Sequence, residues 1–251
     1  MAGATLQRRL TWHLSWVVKV TLETPRAKTL SLEVPDWPGH TAGQHVDVRL
    51  TAPDGYQARR SYSIASAPED APQVALTVER IDNGEVSPYL VDELATGDQL
   101  ELRGPIGGYF IWSVGVGGPL LLVAGGSGIS PLMAMLRHRA RQASTIPTRL
   151  IYSARSLDNL IYYDELESLA SRRDGFEVFY TLTRSQPAGW TGFSRRVDRE
   201  MLAEVAFAPS AQPLCMVCGP TPLVEAVAER LVDQGHVPDR VKTERFGPTG
   251  G

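Results

Sequence analysis

The chain holds 251 residues, 43% of them hydrophobic and 21% charged, which is enough apolar material for a core and too much for wholesale disorder. Twenty-five basic against 28 acidic side chains leave a net charge of −3 and no electrostatic case for a nucleic-acid partner. The two cysteines, Cys215 and Cys218, exclude a disulfide scaffold and any iron–sulfur cluster held by four thiolates of this chain, and make the cytoplasm the expected location.

In chain order, residues 1–10 show no apolar core ahead of a cleavage site, so no secretory leader is expected. Residues 12–23 and 29–34 are rich in Val, Leu and Thr and read as strands, with Pro25 breaking between them. The stretch 35–43 is punctuated by Pro and Gly and reads as loop. Roughly alternating runs at 45–50 and 73–81, and a shorter one at 99–103, predict further strands of an antiparallel barrel or sandwich. A short helix is expected over 87–94, with Ser87 as N-cap and Pro88 in the first helical position.

From Pro119 the pattern turns to alternating strands and helices. Strands are expected at 119–124, 148–153, 176–183 and 214–218, and helices at 131–142, 164–171 and 222–234. The change falls near 112–118, which divides the chain into a β-barrel domain, 1–114, and a parallel-sheet α/β domain, 115–251. The longest purely apolar run, 120–124, is far below the ~20 residues of a membrane span.

Gly125-Gly126-Ser127-Gly128-Ile129-Ser130-Pro131 leaves a strand and opens a helix, where backbone amides and the helix dipole favour a phosphate. Gly126 and Gly128 fit the dinucleotide fingerprint, but Pro131 stands in place of its third glycine. The same turn partly fits a serine nucleophile elbow, but Ile129 replaces the second glycine and only His236 follows the serine. Cys215-Met216-Val217-Cys218 has no second ligand pair for a metal, so no metal centre is expected. Residues three apart on a strand face opposite ways, and Cys218, at the carboxyl end before Gly219-Pro220, is the one placed to face a ligand.

These motifs, in this order, resemble the ferredoxin–NADP reductase superfamily, a Greek-key flavin-binding barrel followed by a pyridine-nucleotide domain. Arg60-Ser61-Tyr62-Ser63 looks like the family's R-x-Y-S flavin motif. The resemblance implies that Arg60 pairs with a flavin phosphate, Tyr62 lies against the isoalloxazine, and Ser63 reaches its N5 edge. Val78 and Arg80 fall on the next flavin-lining strand, and Gly84-Glu85-Val86-Ser87 resembles the stretch whose amides bind phosphate. Gly104-Pro105-Ile106-Gly107-Gly108-Tyr109-Phe110 is similar to the closing G-P-x-G-x-F, with one extra residue before Phe110.

In the second half the turn at Gly126, Ser127 and Gly128 looks like the family's form, in which proline is the usual ending. Cys218, Gly219 and Pro220 match the strand end beside the nicotinamide, and Glu244-Arg245-Phe246 resembles the E-x-F ending whose carboxylate sits near the flavin. Residues 247–251 continue past Phe246, where plant-type members stop at a shielding aromatic. Ser63, Cys218 and Glu244 are thereby the expected catalytic group. Arg155, the pair Thr183-Arg184, and Arg196 favour NADPH over NADH, because arginine accommodates the 2′-phosphate. FAD is the more usual flavin of the superfamily and FMN the less usual.

The resemblance implies an enzyme that passes electrons from NADPH through FAD to a separate acceptor such as ferredoxin, flavodoxin or another redox protein. Two other roles stay open: reduction of a small acceptor (free flavin, a quinone or a ferric complex), and a non-catalytic flavin- or nucleotide-binding subunit. Two cysteines and 251 residues leave no room for the iron–sulfur module fused to many relatives, so the carrier is expected on another molecule.

Overall fold

Two sheets of different construction share the chain. The computed structural model describes residues 10–246; the expectations placed on 1–9 and 247–251 lie outside the described residues. The first sheet comprises β1 Trp12–Thr24, β2 Ala27–Glu33, β3 His45–Thr51, β4 Gln57–Ser63, β5 Gln73–Glu79 and β6 Gln99–Ile106, in the order β4-β3-β6-β1-β2-β5. Every pairing in it is antiparallel. An antiparallel bridge from Ile64 to Leu76 joins the two edge strands and closes the sheet into a barrel.

Alternation along β1 puts Ser15 and Val17 inside and Leu14 and Trp16 outside. A bulge between Val17 and Lys19 shifts the register, after which Val20 packs on the barrel core and Thr21 lies opposite Thr29. The interior is filled by Val17, Leu30, Leu32, Val46, Val48, Leu76 and their neighbours.

The second sheet is wholly parallel: β7 Leu120–Gly125, β8 Thr148–Ala154, β9 Phe176–Leu182, β10 Leu214–Pro220 and β11 Val241–Phe246, in the order β11-β10-β7-β8-β9. Helices α1 Ile129–Arg141 and α2 Tyr163–Ser171 cover one face; α3 Arg199–Val205 and α4 Thr221–Asp233 cover the other. Alternate residues of each strand serve the two layers, Leu120, Leu122 and Cys218 with α1, and Leu121, Val123 and Cys215 with α3 and α4. The chain order reverses between β7 and β10, which makes their carboxyl ends the topological switch point. The α1 layer also takes in Ala27, Ala42, Ala65, Phe110 and Trp112 from the barrel side, so one apolar cluster runs across the junction.

Several elements differ from expectation. β4 reads as polar in sequence and was visible only through its flavin motif. α3 and β11 answer to none of the expected elements. The expected helix over 87–94 is a widened π turn, Tyr89–Glu93, and Ser87 does not cap it: its Oγ accepts a hydrogen bond from the Ile81 amide at 3.1 Å. α1 starts at Ile129, two residues ahead of Pro131. No helix among the described residues is long and apolar enough to cross a membrane.

Candidate functional site

On β4, Ala58, Arg60 and Tyr62 follow one another at two-residue steps and so share a face. Ala58 is in the core and Tyr62 is half-buried against it; burial pushes the phenol of Tyr62 up to about 12, so it stays a neutral, partly apolar ring. The guanidinium of Arg60 projects outward. It donates to the Arg59 carbonyl at 2.7 Å and to Glu85 Oε2 at 3.2 Å, while the Tyr56 hydroxyl donates to the other Glu85 oxygen. Arg80 is held by Asp92 at 2.7 Å and by Asp82 at 2.6 Å. Val78 and Val86 are enclosed.

The turn from Ile81 to Ser87 is shaped for backbone donation. A Cβ on Gly84 would sit 2.8 Å from Ser87 Oγ and 3.0 Å from the Ile81 carbonyl. The amides of Glu85 and Val86 have no acceptor among the described residues. Paired with a cationic side chain, such amides form an anion cradle, and a flavin phosphate fits this donor set. Farther on, the loop before Phe110 buries Phe110 and turns Tyr109 outward, where Lys242 Nζ lies 5.5 Å from its ring centroid.

At the switch point the two strand ends approach through missing side chains. A Cβ on Gly128 would meet the Cys218 carbonyl oxygen at 2.3 Å, and one on Gly219 would lie 3.0 Å from the Gly125 backbone. Gly126 has φ +54°, the left-handed region that favours glycine. The 13-residue α1 that follows has no side-chain cap at its N-terminus; its first amide, that of Ile129, is taken by the Gly126 and Ser127 carbonyls, so an anion would be met by the turn itself. Ser127 is half-buried and makes no hydrogen bond to a histidine among the described residues, so the hydrolase geometry is not assembled there.

At the ends of β8 and β9 the Arg184 amide donates to the Arg155 carbonyl at 2.9 Å, and the Thr183 hydroxyl reaches the Ala154 carbonyl at 3.2 Å. Arg155 and Arg184 are therefore neighbours, and both are exposed. The loop carrying Arg196 is tied to the same end of β9, because the Thr181 hydroxyl binds the Arg195 carbonyl. No carboxylate pairs with Arg155, Arg184 or Arg196 among the described residues.

Ser63, Cys218 and Glu244 come together where the two sheets meet. The β10–β11 register sets Cys218 beside Glu244, and Ser63 Oγ donates to Glu244 Oε1 at 3.5 Å across the junction. Burial pushes Glu244 up to about 7, against the opposing effect of the Ser63 hydroxyl. Burial and then the Glu244 charge raise the Cys218 thiol well above its usual value, which keeps it a neutral contact rather than a thiolate nucleophile. Phe246 pairs with Pro220 and packs on the shared apolar cluster. Sequence reasoning missed Glu85, Tyr56, Tyr152, Tyr162 and Arg137. None of them carries a local signal, because their partners lie on other elements of the fold.

Residues 17–111 match the oxidoreductase FAD-binding domain family, and residues 122–229 match the oxidoreductase NAD-binding domain family. The chain is 35% identical over 236 residues to ferredoxin–NADP reductase B of Sorangium cellulosum, covering 92% of this chain and 96% of that protein. It is 33% identical over 241 residues to the glycine betaine monooxygenase reductase subunit of Pseudomonas aeruginosa, covering 94% of this chain but only 65% of that subunit's length. In fold it superposes on the FAD/NAD-binding domain of nitric oxide dioxygenase from Vibrio cholerae with a TM-score of 0.83 at 22% identity, covering 94% of this chain and 99% of that one. With both family domains matched in turn along the chain and a relative covered over 96% of its length, the chain belongs to the ferredoxin–NADP reductase superfamily of flavin- and pyridine-nucleotide-binding oxidoreductases.

Proposed function

We propose that this chain is an NADPH-dependent flavoprotein reductase whose electrons leave, through FAD, to a separate acceptor protein such as a ferredoxin, a flavodoxin or another redox partner. The observation that carries the reading is the meeting of Ser63 with Cys218 and Glu244, where the end of the strand bearing Arg60 and Tyr62 adjoins the switch point of the parallel sheet. The division of labour is a flavin domain, 1–114, and a nucleotide domain, 115–251. Two buried free cysteines suit a reducing compartment, and we assign the protein to the cytoplasm.

FAD, when bound, supplies the exchange between the hydride of the nicotinamide and the single or paired electrons an acceptor takes. The chain's own residues bind and orient. Arg60 and the amides of Glu85, Val86 and Ser87 hold the flavin phosphate, with Gly84 shaping their turn through its bond to the Ile81 carbonyl; Tyr62 offers its ring face, and Val78 and Arg80 lie at the end of the next strand. Gly126, Ser127 and Gly128 take the nucleotide pyrophosphate at the head of α1, while Cys218, Gly219, Pro220 and Phe246 bound the nicotinamide end. Arg155, Thr183, Arg184 and Arg196 receive the 2′-phosphate. Glu244 holds a proton near neutral pH and exchanges it through the Ser63 hydroxyl.

Purified protein should carry a flavin spectrum, bleach with NADPH faster than with NADH, and turn over steadily with an added carrier protein. A spectrum without flavin after supplementation with FAD would overturn the reading. Steady turnover with free flavin, quinone or ferric complex but with no protein carrier would replace the acceptor.

A further inference from the structure

The glycine turn and the barrel are joined by a largely buried path of hydrogen bonds, bridged at one step by the backbone from Ile161 to Tyr162, whose side chains lie outside the site described above. Tyr162, at the N-terminus of α2, is 3% exposed and has φ +62° and ψ +24°, a conformation a bulky residue adopts only when its surroundings enforce it. Its hydroxyl meets Thr77 Oγ1 on β5 of the barrel. Thr77 Oγ1 lies 2.8 Å from Thr29 Oγ1, and Thr29 donates to Glu23 Oε1 at 2.7 Å. Since Thr29 gives its proton to Glu23, Thr77 donates to Thr29 and Tyr162 donates to Thr77; the relay has one direction and ends on a carboxylate, where each bond polarises the next.

On its other side the path runs through the nucleotide domain. The amide of Ile161 donates to the Tyr152 hydroxyl at 3.1 Å, and that hydroxyl donates to the Gly126 carbonyl at 3.2 Å. Arg137 of α1 clamps the middle: its Cζ lies 4.8 Å from the Tyr162 ring centroid, its Nη1 donates to the barrel's Ala65 carbonyl at 2.8 Å, and its other nitrogens grip Glu165 of α2 at 2.8 and 2.6 Å. A second contact confirms how closely the turn abuts the barrel: the Cβ position of Gly126 is 3.8 Å from Glu79 Oε2 at the end of β5.

We propose that Tyr162 is a positioning residue that sets the Gly126–Gly128 turn against the flavin-binding barrel, and so fixes the spacing between the two cofactors. The proposal rests on the reductase reading above. Two groups brought together for transfer lose rate steeply when displaced by even about 1 Å, so a linkage of this kind acts on transfer between the domains, whereas nucleotide affinity is set by contacts within the second domain.

The test uses the FAD-loaded full chain with Tyr162→Phe, Thr77→Val and the double variant, the second single variant standing in should the first fold poorly. Each single variant should slow bleaching of the flavin by NADPH about tenfold. The double variant should be no slower than the worse single one, because both remove the same link. The dissociation constant for NADP⁺, measured by calorimetry, should stay within about twofold of the parent, while the Ile129 amide, held by the Gly126 and Ser127 carbonyls, exchanges hydrogen about tenfold faster. Parent bleaching rates in both single variants, multiplying losses in the double variant, or a weakening of NADP⁺ binding as large as the loss of rate would overturn the proposal. If the parent protein is not bleached by either nicotinamide, the reductase reading fails instead, and the exchange at Ile129, which needs no turnover, still decides whether Tyr162 holds the turn.

Discussion

The two halves present their ligand faces by opposite means. At the barrel mouth the polar face is made of long charged side chains, each steadied by a counter-ion: Arg60 by Glu85, Arg80 by Asp92 and Asp82, Arg26 again by Asp82. At the switch point the face is made of backbone, with Gly125, Gly128 and Gly219 letting two strand ends touch. The contrast follows from sheet type. An antiparallel barrel can show one face to water and place arginines there, whereas a parallel sheet covered on both sides is open only at its strand ends. A change at the barrel mouth should therefore cost ligand but not fold, and a change at the glycine turn should cost both.

The largest effect is expected from Gly128→Ala. Gly128 has φ −61°, so the penalty is steric and not conformational: the new methyl would lie 2.3 Å from the Cys218 oxygen and 2.7 Å from Gly219 Cα, all backbone. Forcing the strands apart should lower stability by roughly 3 kcal/mol in a urea titration and abolish NADP⁺ binding by calorimetry. Arg60→Ala comes next. It should leave the urea midpoint in place and weaken FAD retention about 100-fold, the worth of charge-assisted hydrogen bonds to a phosphate. A variant that unfolded, or that stayed fully yellow, would break the distinction between the halves.

How far this was readable in advance also divides along the same line. In the α/β half, continuous apolar strands such as 120–124 and the glycine turn announced themselves, because a buried parallel strand and a side-chain-free crossing both leave a local trace. Cys215 and Cys218 fell on opposite faces as their spacing required. β11 left no such trace, since Val241–Phe246 is a half-exposed edge strand with three charged residues among six. α3 is only seven residues long; its signal was Asp198, whose side chain accepts from the Met201 amide at 2.8 Å. In the barrel, β4 defeats alternation because Arg60 takes a position where an apolar residue would ordinarily mark the inner face. The link from Tyr162 to Thr77 joins residues 85 apart and is a product of packing alone.

Glu244 belongs to neither half alone, and its titration measures how dry the junction is. Its pKa rises from 4.5 to about 7 because burial penalises the charge. The folded state then binds the proton more tightly than the unfolded state between those values. The favourable contribution is complete below about pH 4.5 and is lost as pH rises through 7. Glu244→Gln removes the titration, so the variant should match the parent near pH 4.5 and exceed it at pH 8 by up to roughly 3 kcal/mol. Thermal melts across that range check the sign; a difference independent of pH would mean that water reaches the junction freely.

The smallest effect, and the sharpest on the barrel side, is expected from Glu85→Gln. The Arg60–Glu85 pair is exposed, at 55% and 42% of the two side chains, so solvent screens it and its loss should leave the melting temperature unchanged. Its electrostatic consequence for a ligand is another matter. Glu85 places a negative charge on the same guanidinium, and beside the same free amides, that a flavin phosphate would use. Neutralising it removes both a competitor for Arg60 and a like charge, and should tighten FAD binding about fivefold at low salt, with the gain shrinking as salt is added. Fluorescence titration of apoprotein with FAD at two ionic strengths reads this directly. Weaker binding in the variant would mean that Glu85 holds Arg60 in its binding pose, and that the barrel face, like the glycine turn, depends on preset geometry as much as on charge.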